Sequence, residues 1–138
     1  MTDETEIEAG EFENPKGRVL IIAGSDSSGG AGVQADIKTV TALGGYASTA
    51  ITAVTVQNTK GVSGVHPIPD DVIVAQMGAV LSDIGADAIK TGMLGSVSTI
   101  EALIKALDEG GTVGLPLIVD PVMVASSGDS LVSEDTAE

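Results

Sequence analysis

Val19-Leu20-Ile21-Ile22-Ala23-Gly24-Ser25-Asp26-Ser27-Ser28-Gly29-Gly30-Ala31-Gly32 carries an apolar, β-branched run straight into a glycine-rich turn. An apolar run with no alternating polar position is the form of a parallel strand buried on both faces. Directly after the turn, Val33, Ile37, Val40 and Leu43 recur at helical spacing along one side, and Gly44-Gly45 ends the repeat. This strand-turn-helix unit predicts a parallel sheet, because a parallel neighbour is reached only through a crossover that a helix usually supplies.

The same rhythm continues outward. Tyr46 to Gln57 holds a second strand centred on Ile51 to Val56, followed by the turn Asn58-Thr59-Lys60-Gly61 and a short edge strand over Gly64 to Ile68. Asp70-Asp71 supply caps and negative charge for a helix running to about Ile84, with Val72, Val74, Met77, Val80 and Leu81 among its apolar positions. Asp87 to Thr91 is the next strand, Ser98 to Leu107 the next helix and Leu115 to Val119 a further strand. The expected fold is α/β, a mainly parallel sheet with helices on both faces. Residues 1–17 are Glu-rich, contain Pro15 and show no apolar periodicity, so an acidic disordered tail is expected there. Ser133 to Glu138 reads as an N-cap and acidic first turn with no helix body after it, so the unit formed by residues 18–138 is expected to be incomplete at its C-terminus.

Composition narrows the function. The 138 residues allow one domain, and an aromatic content of 1% means that its core is built from aliphatic side chains. Twenty acidic against six basic residues give a net charge of -14, which repels nucleic acid and anionic membrane, and stacking platforms for single strands are lacking. Such acidity fits a salt-rich cytoplasm, where the screening length falls from about 10 Å at 0.1 M to about 3 Å at 1 M, with an ordinarily acidic mesophilic protein as the alternative. Without cysteine there is no disulfide, thiolate metal site or cysteine nucleophile in these residues. The only histidine, His66, sits in a Val-His-Pro context and reads as a surface loop residue, which disfavours a zinc cluster or a Ser-His-Asp triad. No apolar run has the length of a membrane span and the N-terminus lacks a signal-like basic start, so a cytoplasmic protein is expected.

The glycine loop at 24–32 invites a polar or anionic ligand, since bare backbone N–H groups and a helix N-terminus meet there, and it reads equally well as a turn that needs positive φ. Gly30-x-Gly32-x-x-Ala35 matches part of a dinucleotide fingerprint, but no Asp or Glu occurs from Ile37 through Pro69 to hold a ribose. No glycine precedes a lysine followed by Ser or Thr, so a phosphate-binding P-loop is absent. Ligands of open parallel sheets lie beyond the carboxyl ends of strands. Gly24, Thr55 with Gln57, Thr91-Gly92-Met93 and Asp120-Pro121 fall at four such ends, although Asp120 can equally cap a turn and Met93 fill a core. Asp36 lies just past the glycine loop, where the helix dipole favours a carboxylate, and it is either solvated or turned to the pocket. Gln57 carries both a donor and an acceptor, matching the edge of an aminopyrimidine.

Four ordered blocks carry a family resemblance: Ala23 to Gly32 with Gln34-Ala35-Asp36, Thr52-Ala53-Val54-Thr55-Val56-Gln57-Asn58-Thr59, Lys90-Thr91-Gly92-Met93-Leu94, and Val119-Asp120-Pro121-Val122-Met123. They closely resemble the hydroxymethylpyrimidine and phosphomethylpyrimidine kinases of the ribokinase-like fold, from about Arg18 almost to the end. The resemblance implies ATP- and magnesium-dependent phosphorylation of hydroxymethylpyrimidine and then of its monophosphate, in thiamine diphosphate synthesis. It implies that Gln57 hydrogen-bonds the pyrimidine, that Asp36 contacts the substrate, that Gly24, Thr55 and Met93 line the same pocket, and that Asp120 lies near the phosphates and magnesium. The family's Gly-Thr-Gly-Cys anion hole is not in this sequence, so no catalytic residue is expected within it. A complementing C-terminal chain would supply what is missing, and a homo-oligomer is the other partner expected. The competing expectations are a non-catalytic pyrimidine-binding fragment and a pyridoxal-type kinase.

Overall fold

The computed structural model describes residues 14–132. The first strand outruns its apolar core: β1 spans Arg18–Asp26, so Gly24 lies within the strand instead of ending it. Helix α1 (Gly32–Ala42) leads to β2 (Tyr46–Asn58), which turns back into β3 (Gly61–Pro67). Then come α2 (Asp70–Asp83), β4 (Ala88–Thr91), α3 (Val97–Glu109) and β5 (Leu117–Val119). They form one five-stranded sheet in the order β3-β2-β1-β4-β5, parallel except for the antiparallel β2–β3 hairpin at one edge.

Alternation along β1 builds two cores. Leu20 and Ile22 pack with Ala50, Ile73 and Met77 of α2, Ile89 and Leu103 of α3. Ile21 and Ala23 point the other way and pack with Val33, backed by Val40 of α1. Side chains two apart share a face of a strand, so α1 covers one face and α2 with α3 the other. Arg18 fixes the start of β1 beside β4, donating to both carboxylate oxygens of Asp87 and to the Ile84 carbonyl. Lys16 donates its N–H to the Gly44 carbonyl and Gly17 accepts from Tyr46 N–H, so the chain is paired before β1 begins. The rest of the expected acidic tail, residues 1–13, and the expected helix start at 133–138 lie outside the described residues.

Several local expectations are corrected. On α1, Ile37 and Leu43 are exposed, leaving Val33 and Val40 as the packing face. The N-cap of α2 is Pro69, with no side-chain cap, and Asp70 accepts a hydrogen bond from the Thr99 hydroxyl of α3 instead. Ile73, not Val72, is the buried first-turn residue of α2, because Val72 points to solvent. His66 is exposed but sits on edge strand β3, paired with Val54, and not in a loop. Among the described residues, no helix is long and apolar enough to cross a membrane.

Candidate functional site

From β1 the chain runs to β2 on one side, while β4 lies against β1 on the other. Connections that leave in opposite directions open a crevice at the carboxyl ends of the two strands. A cleft of about 350 Å³ lies there, and Gly24, Asp36, Thr55, Gln57, Met93 and Asp120 all line it. Sequence reasoning placed these six at separate strand ends and in the first helix; the fold brings them to one cleft.

Gly24 faces Met93, and a Cβ on Gly24 would stand 2.5 Å from the Met93 methyl carbon. The glycine therefore lets the thioether close the floor of the cleft, where Met93 is buried. The backbone of Met93 is anchored separately, its carbonyl accepting from the buried Thr52 hydroxyl at 2.6 Å. The Thr55 hydroxyl, with one proton to give, lies 2.9 Å from the Ser25 carbonyl and 3.0 Å from Gln57 Oε1, so it shares that proton between the two and holds the amide of Gln57 beside it. Ser27 fixes the backbone of Gln57, donating its hydroxyl to the carbonyl and accepting the N–H. That leaves the Gln57 NH2 and one Oε1 lone pair for a ligand.

The N–H groups of Ser28, Gly29, Gly30 and Ala31 in the glycine loop are not bare. Asp26, 3% exposed, turns its carboxylate into the loop and accepts from the N–H groups of Ser28, Gly30 and Ala31 and from the Ser28 hydroxyl. Burial alone would push this carboxyl up, but the bonds from Ser28, Ala31 and Gly30 outweigh it and hold it below the ordinary carboxylate range. An internal anion thus fills the nest that an incoming anion would use. Gln34 completes the loop, its Oε1 accepting from Asp26 N–H and its NH2 donating to the Ser25 hydroxyl.

Asp36 is half-buried beyond the first turn of α1, so a nearby cation and not the helix terminus is its partner. Lys90 Nζ of β4 lies 2.7 Å from Asp36 Oδ2 and 3.7 Å from Asp120 Oδ2. Gly92 leaves room for that ammonium, since a Cβ there would be 3.3 Å from Nζ. Asp120 follows β5 with its N–H bonded to the Thr91 carbonyl, and its side chain is about half exposed. The outer wall is a segment carrying Val122, Val124, Ala125, Ser126 and Leu131. It folds back through a Val124–Ser130 bridge, and Asp129 pins it to β3 by accepting from Val62 N–H at 3.0 Å.

Sequence reasoning missed Asp26 as the filler of its own loop, Lys90, and this outer segment. Lys90 had a legible signal, being a charge inside the short strand Ala-Ile-Lys-Thr, where a buried neighbour must pair it. Asp26 and the segment depend on contacts that no local spacing reveals.

No group of three or more His, Cys, Asp or Glu that could hold a metal ion occurs among the described residues. Asp120 offers a single carboxylate at the cleft mouth, a donor set that suits magnesium bound chiefly through phosphate and water.

Comparison with known proteins gives a consistent family. A family model described as phosphomethylpyrimidine kinase matches residues 26–138. A bifunctional thiamine biosynthesis protein of Geobacter sulfurreducens is 53% identical over 86% of this chain, which covers 24% of that protein. The hydroxymethylpyrimidine/phosphomethylpyrimidine kinase of Mycobacterium bovis is 51% identical over 84% of this chain and 42% of its own length. Among solved structures, a phosphomethylpyrimidine kinase from Clostridium difficile superposes with a TM-score of 0.76 at 45% identity, over 86% of this chain and 51% of that one. A pyridoxal kinase from Staphylococcus aureus, in complex with AMP-PCP and pyridoxal, gives a TM-score of 0.70 at 43% identity, over 84% of this chain and 42% of its own. The chain therefore spans from about a quarter to about half of the length of these relatives.

Proposed function

The chain belongs to the phosphomethylpyrimidine kinase family, and from that premise we propose that its cleft binds 4-amino-5-hydroxymethyl-2-methylpyrimidine and its monophosphate for phosphorylation by ATP in thiamine diphosphate synthesis. The observation that carries the proposal is the convergence of Gly24, Asp36, Thr55, Gln57, Met93 and Asp120 on one cleft at the sheet's switch point. Gln57, oriented by Thr55, reads the donor and acceptor edge of the ring. Met93 and Gly24 give the ring an apolar surface to lie on, and the Asp36 carboxylate accepts from the amino or hydroxymethyl group.

Phosphoryl transfer depends mainly on positioning and on neutralising phosphate charge. In this reading Asp120, at the open side of the cleft, would face magnesium-bound phosphates, and magnesium would supply the charge neutralisation there. The glycine loop is not assigned to phosphate, because Asp26 already fills it. These residues contain no Gly-Thr-Gly-Cys anion hole, so no catalytic residue is assigned among them. A cytoplasmic, salt-adapted enzyme, completed by further sequence or by a complementing chain and able to pair with a second copy, belongs to the same proposal.

A pyridoxal-type kinase is the second reading, supported by the 43% identity to the S. aureus enzyme. Calorimetry with the hydroxymethylpyrimidine and with pyridoxal, in high salt, separates the two. We expect the pyrimidine to bind more tightly, and Gln57→Ala to weaken it by about 1–3 kcal/mol, the usual effect of stranding a buried polar partner. Equal affinity before and after that substitution would remove Gln57 as the reader of the ring. Tighter binding of pyridoxal would favour the second reading.

A further inference from the structure

We propose that Lys90 is a positioning residue of the cleft: its ammonium fixes the Asp36 carboxylate in the orientation that meets the ligand and ties it to Asp120 across the cleft. This inference rests on the ring-binding reading above. Lys90 is the only cationic side chain among the residues lining the cleft, against the carboxylates of Asp26, Asp36 and Asp120. Asp26 is consumed by its own loop, which leaves two carboxylates for one ammonium.

The geometry is unequal. Nζ makes a charge-assisted hydrogen bond to Asp36 at 2.7 Å and only an ion pair to Asp120 at 3.7 Å. Asp36 and Lys90 are both largely withdrawn from solvent, with side chains 24% and 20% exposed, whereas Asp120 is 56% exposed. Water screens the Asp120 contact far more than the other. The strand also limits where the ammonium can go. Lys90 lies opposite Ile21 in the β1–β4 ladder, and the space above Gly92 receives its tip. With Lys90 bonded to one oxygen of Asp36, the remaining lone pairs of that carboxylate have a set direction for a ligand's amino or hydroxyl group. Without Lys90, two half-buried or exposed carboxylates would face one cavity with no counter-charge, and Asp36 would lose the hydrogen bond that sets its orientation.

The test is calorimetry of 4-amino-5-hydroxymethyl-2-methylpyrimidine on the full chain in high salt at neutral pH, for the unaltered chain, Lys90→Met, Lys90→Arg, Asp36→Asn and the Lys90→Met/Asp36→Asn double variant, with thermal melts of each. Lys90→Met is expected to weaken binding about tenfold or more, and Lys90→Arg, which keeps a hydrogen-bonding cation beside Asp36, to bind several-fold more tightly than Lys90→Met. The double variant should be no weaker than the worse single one, since both changes break the same device. Undiminished affinity in folded Lys90→Met, or losses that simply multiply in the double variant, would overturn the inference and leave the ring assignment standing. A lowered melting point in Lys90→Met together with an affinity that Lys90→Arg does not recover would reduce Lys90 to a structural strut and equally overturn it. Should Lys90→Met fail to fold, the same cycle with Lys90→Gln decides by the same criteria. No binding by the unaltered chain would overturn the ring assignment, and this inference with it.

Discussion

Asp26 is a carboxylate held away from water by donors of its own loop, from 2.7 Å at the Ser28 hydroxyl to 3.0 Å at Gly30 N–H. Buried anions are tolerated only when hydrogen bonds replace their hydration, and here three backbone N–H groups and a hydroxyl do so. Burial raises this carboxyl, the Ser28, Ala31 and Gly30 bonds lower it, and the net displacement is downward. A group whose folded value is depressed contributes stability that is fully present above its unfolded value, about 3.9, and is lost as the pH falls through the folded value. Asp26→Asn is therefore expected to destabilise the chain near neutral pH by about 1–3 kcal/mol, because an amide cannot accept from all these donors and brings donors of its own. Urea melts of both proteins from pH 6 down through the carboxylate range check this. The gap between the two should close on acidification below about pH 4, and parallel curves would mean that Asp26 is not the group being titrated.

At the scale of elements, the cleft is walled by parts held in place by unlike forces. The inner wall, the ends of β1, β2 and β4, is fixed by ladder hydrogen bonds and two apolar cores. The outer segment from Val122 to Leu131 has turn bonds such as Ala125 N–H to Asp129 O and Gly128 N–H to Ala125 O, plus the Asp129 link to Val62 at the start of β3. The Asp129 carboxyl is held below its usual range by the Ser127 hydroxyl and the Val62 N–H, as expected for a carboxylate serving as a latch. Asp129→Ala should speed hydrogen exchange of the Ala125, Gly128 and Leu131 amides several-fold while leaving the β1 amides unchanged. Uniform acceleration across the sheet would mean global destabilisation and no latch. The contrast also explains what a one-dimensional reading can see. Val19 to Ala23 announces a buried parallel strand because local composition and burial agree there, and Val33 with Val40 announces the helix packed on it. The Asp70 cap failed as an expectation because Thr99, distant in sequence, claims that carboxylate. Ile37 and Leu43 had the helical spacing of a core face, but a single helix on one face of a narrow sheet leaves its flanks in solvent. Cleft residues at strand ends were legible from the sheet rule, whereas the Lys90 bridge joins α1, β4 and the chain after β5, a meeting that exists only once the sheet is assembled.

For the molecule as a whole, the dominant electrostatic fact is a net charge of -14 on 138 residues. Of the described cations, Arg18 is spent on Asp87 and Lys90 on Asp36, and Lys38 donates to the Gly29 carbonyl, so local pairing relieves little of the excess. Folding brings like charges closer than they are in an expanded chain, and the resulting repulsion reaches about 10 Å at 0.1 M salt but only about 3 Å at 1 M. Raising KCl should therefore raise the melting midpoint, and a stabilisation of 1 kcal/mol would appear as about 4 °C for a domain of this size. The shape of the curve identifies the cause. Screening acts mostly below about 1 M, where the Debye length is still shrinking past the spacing of surface charges, and then levels off. Salt that acts by exclusion from apolar surface keeps stabilising as its concentration rises, and sulfate does so more strongly than chloride. A steep early rise that is matched by potassium chloride and potassium sulfate at equal ionic strength would assign the effect to charge. A midpoint indifferent to KCl between 0.1 and 2 M would show that the acidic surface is no adaptation to a salt-rich interior.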